Sequence, residues 1–258
     1  MKKGVWIVLL GLILMSSAPR PVHIFMAGDS TMADKVLTKS GTDAVTGEKF
    51  EEVFLERGWG QLLPTFLNDK AVVVNMARNG RSTRTFIEEG LWTELIAQVR
   101  KGDYVVLQFA HNDSSLEKGE RFTNPAQFRL NFIAFVDEVR SRGGIPVLCT
   151  PVARRKFNAE GQLVPTHGEY PDIIRTVAQE KKTLFVDMGK MTEEWLQKEG
   201  VEATKQYFHK FKPGESRLYP NGLDDNTHFV ESSARIVAGF FVEEMKKNKK
   251  SKFKKLLK

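Results

Sequence analysis

Ser30, in Gly28-Asp29-Ser30-Thr31, is followed about two hundred residues later by Asp225-Asn226-Thr227-His228. A serine hydroxyl is a weak nucleophile at neutral pH. It needs an imidazole to take its proton and a carboxylate to hold that imidazole in the productive tautomer. The two segments contain all three groups, and a short turn would bring the Asp225 carboxylate against His228 while its other ring nitrogen faces Ser30. Serine after Gly-Asp is also a common turn or helix cap, so Ser30 alone decides nothing. Of the other histidines, His23 falls within an apolar run and reads as structural. His167 and His209 have no partner pattern, and His111 could line a pocket or fix a loop. No histidine and carboxylate cluster has metal-ligand spacing, so no metal or other cofactor is expected.

Five apolar, β-branched runs must position these groups: Val22 to Ala27, Ala71 to Met76, Tyr104 to Gln108, Pro146 to Thr150 and Leu184 to Asp187. Helical patterns lie between most of them. From Arg84 to Arg100, Trp92, Leu95, Ile96 and Val99 share a face. Asn124 and Pro125 start a helix whose buried stripe is Phe128, Phe132, Phe135, Val136 and Val139. Another begins at Pro171, and a last one runs from about Glu231 to Met245 with Ile236, Val237, Phe240 and Phe241 inward. Alternation of this kind predicts a three-layer α/β/α sandwich on a five-stranded parallel sheet, with functional groups at the strands' C-terminal ends. Gly28 to Thr31, Asn79 to Arg84 and Ala110 to Asp113 all follow predicted strands. The polar stretch Ala33 to Arg57 reads as a long loop, either a substrate-facing excursion or a surface insertion.

Composition narrows the function classes. The 258 residues fit one catalytic domain, expected over 19–245. Residues 1–18 read as a signal peptide, with Lys2 and Lys3 before an apolar run and Ser16-Ser17-Ala18 at the cut, which predicts export to the periplasm or the exterior. Pro19 just after that cut leaves an uncleaved anchor as the minority reading, and no stable membrane partner is expected after cleavage. Cys149 lies alone in an apolar run, so disulfides contribute nothing. The net charge of +7 is concentrated in eight lysines between Lys246 and Lys258, which read as a solvated tail over 246–258. With no nucleic-acid-binding module either, nucleic acid is not an expected partner. The expected state is a monomer.

Four blocks in order resemble the SGNH/GDSL hydrolase superfamily, whose fold is flavodoxin-like: Gly28-Asp29-Ser30-Thr31, Asn79-Gly80-Arg81-Ser82, Ala110-His111-Asn112-Asp113 and Asp225-Asn226-Thr227-His228. The resemblance implies Ser30 as nucleophile, His228 as base and Asp225, rather than Asp224, as its orienting acid. It assigns the oxyanion hole to the Ser30 and Gly80 N–H groups and the Asn112 side-chain amide, donors of the kind an ester's transition-state oxygen requires. Ala110 stands where the superfamily usually has glycine, so an added methyl could tighten the turn that aims Asn112. Asp29 and Asp113 read as loop-fixing carboxylates.

Within that superfamily the chain is similar to the rhamnogalacturonan acetylesterase group, through Thr31-Met32, Gly58-Trp59-Gly60-Gln61, Thr83, Tyr170-Pro171 and Phe229 beside the four blocks. This implies a serine esterase that removes acetyl groups from plant cell-wall pectic polysaccharide. Possible substrate contacts are Trp59 as a sugar-stacking face, Arg81 and Arg84 as carboxylate partners, and His111. Arg154, Arg155 and Lys156 after the fourth strand add positive charge. The alternatives are an esterase of acetylated xylan, other glycans or acyl and aryl esters, and a non-catalytic carbohydrate-binding protein.

Overall fold

A computed structural model of the chain describes residues 20–43, 45–249 and 251–258; the expected signal segment lies outside them. In chain order the strands are β1 (Val22–Gly28), β2 (Thr38–Thr42), β3 (Lys49–Val53), β4 (Glu56–Arg57), β5 (Ala71–Asn75), β6 (Tyr104–Gln108), β7 (Ile145–Cys149), β8 (Leu184–Val186), β9 (Phe208–Phe211) and β10 (Leu223–Val230). The α-helices are α1 (Trp59–Leu62), α2 (Thr83–Glu88), α3 (Leu91–Gln98), α4 (Pro125–Ser141), α5 (Tyr170–Glu180), α6 (Met188–Glu199) and α7 (Glu231–Lys247).

The five predicted strands form one parallel sheet in the order β5-β1-β6-β7-β8. Because side chains alternate across a strand, each strand feeds both faces. Ile24 and Met26 of β1, with Tyr104 and Val106 of β6, join a core under α1, α6 and α7. Phe25 and Ala27, with Val105 and Leu107, join a second core under α2 to α5. This is the three-layer sandwich expected from the alternation. The strand order reverses between β1 and β6, and such a switch point leaves a crevice at the C-terminal ends of the strands. Ser30 leaves β1 there, and Ala110 to Asp113 leave β6 beside it.

Local chemistry explains the helix boundaries. Asn124 accepts the Gln127 N–H and caps α4, with Pro125 in its first turn. The single helix expected over 84–100 is two, because Gly90 adopts φ 77° between α2 and α3, a conformation that breaks a right-handed helix and suits glycine. Ile236, expected inward, is exposed on α7, whereas Val237 and Phe241 are buried. The lysine-rich end also departs from the solvated tail. Phe253 is fully buried, 5.4 Å from Tyr104 and 5.7 Å from Phe241 by ring centroids, and Leu257 bridges Leu67. Burying an aromatic side chain of this size stabilises by about 1.5–3 kcal/mol, which holds the segment down while its described lysines are exposed. None of the described helices is long and apolar enough to cross a membrane.

Two further sheets were not anticipated. Strands β2 and β3 make an antiparallel hairpin inside the expected loop, and β4, β10 and β9 make a three-stranded sheet in that order. Val230 pairs with Glu56 and Phe229 with Arg57, so the end of the inserted segment is hydrogen-bonded to the strand that carries His228.

Candidate active site

His228 Nε2 lies 2.8 Å from Ser30 Oγ, and His228 Nδ1 lies 2.6 Å from Asp225 Oδ2. The serine hydroxyl, imidazole and carboxylate therefore form one hydrogen-bonded chain. On a regular strand, residues three apart point to opposite faces. Asp225 and His228 meet because the β10 ladder shifts register between Asp224 and Phe229, and because Asp225 Oδ1 accepts the N–H of Thr227 at 2.7 Å and of His228 at 2.9 Å. That side-chain-to-backbone closure is the turn expected of aspartate, set inside a strand rather than in a loop. Burial opposes ionisation of Asp225, but the bond to His228, its charge and the two backbone donors outweigh it and bring the carboxyl down to about 2. Asp224 instead points outward and pairs with Lys210.

The turn bearing Ser30 is braced from beneath. Asp29 Oδ1 accepts the N–H of Thr31 at 3.0 Å and its hydroxyl at 2.8 Å. Gln108 Nε2 continues the chain by donating to Thr31 Oγ1 at 2.7 Å, and Gln108 Oε1 accepts the Trp59 indole N–H, also at 2.7 Å. Trp59 is fully buried against Phe241, which corrects its expected role as a sugar platform. Gly58 and Gly60 bring α1 against the Ser30 turn: a Cβ on Gly58 would lie 2.2 Å from the Ala33 carbonyl oxygen, and one on Gly60 2.6 Å from that of Met32. The Gly-Trp-Gly segment thus supports the site by packing.

Gly80 and Asn112 stand on the facing turns. Gly80 adopts φ 77°, and among the described residues neither its N–H nor that of Ser30 is donated to a backbone carbonyl. Asn112 Nδ2 donates to the Arg81 carbonyl at 2.9 Å; an amide nitrogen has two such hydrogens, so one is left to donate. Lys118 Nζ, 3.2 Å from Asn112 Oδ1, fixes the other end of that amide. Ala110 adopts φ 124°, in the region that favours glycine, so its methyl does strain this turn. Beneath it, Asp113 Oδ1 accepts the Thr83 N–H at 2.8 Å and hydroxyl at 2.6 Å. Burial outweighs those bonds and raises the Asp113 carboxyl to about 7.

His111 is buried and does not line an open surface; its Nδ1 is 3.1 Å from His167 Nε2. Burial, with the charges of Arg154 and Lys118, lowers His167 to about 3, and His111 is likewise held well below the usual imidazole range. The arginines also sort differently from expectation. Arg84 is paired with Glu88 on the exposed face of α2, and Arg81 with Glu89. Arg155 supports β10 from behind, through Asn226, Thr204 and the Val201 carbonyl. Arg154 turns inward and donates to the His111 carbonyl at 3.0 Å. Cys149 is buried, and burial pushes its thiol far up, leaving it inert.

Three charged groups beside the site carried no pattern in the sequence. Glu56 Oε1 lies 3.8 Å from His228 Nε2 and 2.6 Å from Lys35 Nζ, and Lys35 also bonds Asn79. Arg121 lies over Gly80, its Cζ 3.1 Å from where a Cβ would stand. Lys35 and Glu56 come from the two ends of the polar insertion, so only the β4–β10 pairing reveals their proximity.

A parallel α/β/α sandwich with a serine–imidazole–carboxylate chain at its switch point has the arrangement of the serine hydrolases. The GDSL-like lipase/acylhydrolase family matches residues 26–231, and the chain belongs to it, as a carboxylic ester hydrolase. A rhamnogalacturonan acetylesterase of Bacillus subtilis, RhgT, is 33% identical over 87% of this chain and 89% of its own length. Among solved structures, YxiM of Bacillus subtilis superposes with a TM-score of 0.69 at 24% identity, covering 88% of this chain and 56% of that one. The acetylxylan esterase Axe2 of Geobacillus stearothermophilus does so with 0.60 at 17% identity, over 87% of this chain and 94% of the other. These two likenesses concern the fold.

Proposed function

We propose that the protein is a serine acetylesterase of pectic polysaccharide, with rhamnogalacturonan as substrate. The observation that carries the chemistry is the continuous Ser30–His228–Asp225 hydrogen-bonded chain, together with the Ser30 and Gly80 N–H groups, which no described backbone carbonyl accepts. Ser30 Oγ attacks the acetyl carbonyl carbon as His228 Nε2 takes the hydroxyl proton, and the carbonyl oxygen becomes an oxyanion held by Ser30 N–H, Gly80 N–H and the Asn112 amide. Collapse breaks the bond to the sugar oxygen, which leaves with the proton from His228. Water, deprotonated by His228, then attacks the acetyl-serine and releases acetate, restoring the Ser30 hydroxyl.

The substrate class is supported by the relative at 33% identity and by charge. Lys118, Arg121 and Arg154 surround the Gly80 and Asn112 turns, and none of them forms an ion pair with a described carboxylate. Desolvation and the neighbouring Arg154 and Arg121 both lower the Lys118 ammonium. An anionic sugar would relieve that repulsion, whereas neutral xylan would not. Acetate release from acetylated rhamnogalacturonan, from the same polymer with its carboxyls reduced to alcohols, and from acetylated xylan tests this reading. Preference for the charged polymer, falling with added salt, is expected. Equal rates on all three, or a preference for long acyl chains over acetyl, overturns the pectic assignment.

A further inference from the structure

The Lys35–Glu56 pair occupies an unusual place for a buried ammonium and a largely buried carboxylate. The Lys35 and Glu56 side chains are only 2% and 13% exposed, 2.6 Å apart, and they close the base of the hairpin insertion beside the imidazole. A buried ion pair gives little net stability, because desolvating both charges offsets their attraction. Apolar residues would close the insertion equally well. The Glu56 carboxylate, however, is 3.8 Å from the His228 nitrogen that faces Ser30. Left to itself, a carboxylate at that range would bond a protonated Nε2 directly, and the imidazolium so trapped could neither accept the Ser30 proton nor return it.

Resting on the serine-esterase reading, we propose that Lys35 and Glu56 are positioning residues for His228. Glu56 attracts the imidazolium that forms when Ser30 attacks, and Lys35 holds that carboxylate off Nε2 so that Ser30 remains its partner. The bond from Lys35 to Asn79 ties this device to the turn that presents Gly80. Asp225 on β10 bonds the opposite ring nitrogen. Other charged or titratable groups that act on His228 include His209 of β9, and His111 and Asp29 of the neighbouring turns. Those that act on Glu56, besides Lys35 and His228, include Lys39, His209 and Tyr219.

The test is kcat/KM against pH with a small neutral acetyl ester for the wild type, Glu56→Gln, Lys35→Met and the double variant, with thermal melts to establish folding and Ser30→Ala assayed alongside. Removing a negative charge near the imidazole disfavours its protonated form. Glu56→Gln is therefore expected to move the acid limb down by about 0.5 pH unit and to slow the reaction about tenfold. Lys35→Met frees Glu56 to bond Nε2 and moves the limb up. In the double variant the upward move disappears and the limb coincides with that of Glu56→Gln. Lys35→Arg, which keeps the charge, restores the wild-type limb. Unmoved limbs, or a double variant whose shift is the sum of the two singles, would overturn the proposal, since Lys35 then braces the insertion or acts by its own charge alone. A Ser30→Ala variant with the wild-type rate would instead remove the esterase reading on which the proposal rests.

Discussion

On the β10 side of Ser30 both oxygens of Asp225 have donors, whereas across the site Asp113 Oδ2 and His111 Nε2 are buried with no hydrogen-bond partner. The two sides differ in strain as well. The Asp225–His228 turn uses ordinary backbone geometry, while the facing turn holds Ala110 at φ 124° and sets the His111 and His167 rings edge to face beside Arg154 and Lys118. In the proposed mechanism His228 accepts and releases a proton in each cycle, and such a relay needs its charges compensated at rest. The proposed oxyanion side needs fixed donors, and burial provides that rigidity at a cost in unmet polar atoms and backbone strain.

Substitutions on each side should separate these two demands. The largest effect is expected from Asp225→Asn, which reverses the polarity of the bond to Nδ1 and lowers kcat by about 10³–10⁴ with little loss of thermal stability. A loss of only a few-fold would mean that Asp225 does not orient the base. Asn112→Ala removes one oxyanion donor and should cost about 10² in kcat, with KM for a small ester nearly unchanged; a KM effect alone would move Asn112 from the transition state to substrate binding.

The remaining contrasts are in stability. Because the folded His167 pKa, about 3, lies below its ordinary 6.5, its neutral form contributes stability that is complete above pH 6.5 and is lost as pH falls toward 3. His167→Gln should therefore reduce the loss of Tm between pH 7 and pH 5 by a few degrees, as read by calorimetry at the two pH values, and an unchanged loss would clear this histidine of the acid sensitivity. The smallest effect is expected at Ala110. Glycine there relieves about 1–3 kcal/mol of strain but gives back about 0.5–1 kcal/mol in unfolded-chain entropy. Ala110→Gly should thus stabilise by about 1 kcal/mol in chemical denaturation, and destabilisation would contradict the strain assigned to this turn.

The same contrast marks what the sequence made legible. The parallel sheet was readable because its strands, buried on both faces, are continuous apolar runs such as Tyr104 to Gln108. The Ser30, Gly80 and Asn112 turns follow such runs, so their shared edge could be placed from the alternation. The hairpin could not be. Strands Thr38–Thr42 and Lys49–Val53 are polar and only half-buried on one face, which leaves no periodic apolar signal. Strand β10 was hidden because Leu223 to Val230 carries two aspartates and an asparagine, the composition of a turn, and only its pairing with β4 and β9 makes it a strand. Two missed features did have signals. Gly90 marked the break between α2 and α3, and Asp187 with Met188, Thr192 and Leu196 at helical spacing marked α6. For Trp59, residue type suggested a sugar platform, but burial is decided by the packing of α1 through two glycines. Neither Glu56 nor Lys35 could be linked to His228 without the fold.

The most direct test of the central claim is mass spectrometry of the enzyme quenched in acid during turnover of an acetyl ester, with acetate release by wild type and Ser30→Ala measured in parallel. The expected result is an acetyl group on the peptide containing Ser30, absent from Ser30→Ala, together with a loss of at least about 10³ in the variant's rate. Wild-type acetate release by Ser30→Ala, with no acetyl on the Ser30 peptide of the wild type, would contradict the account.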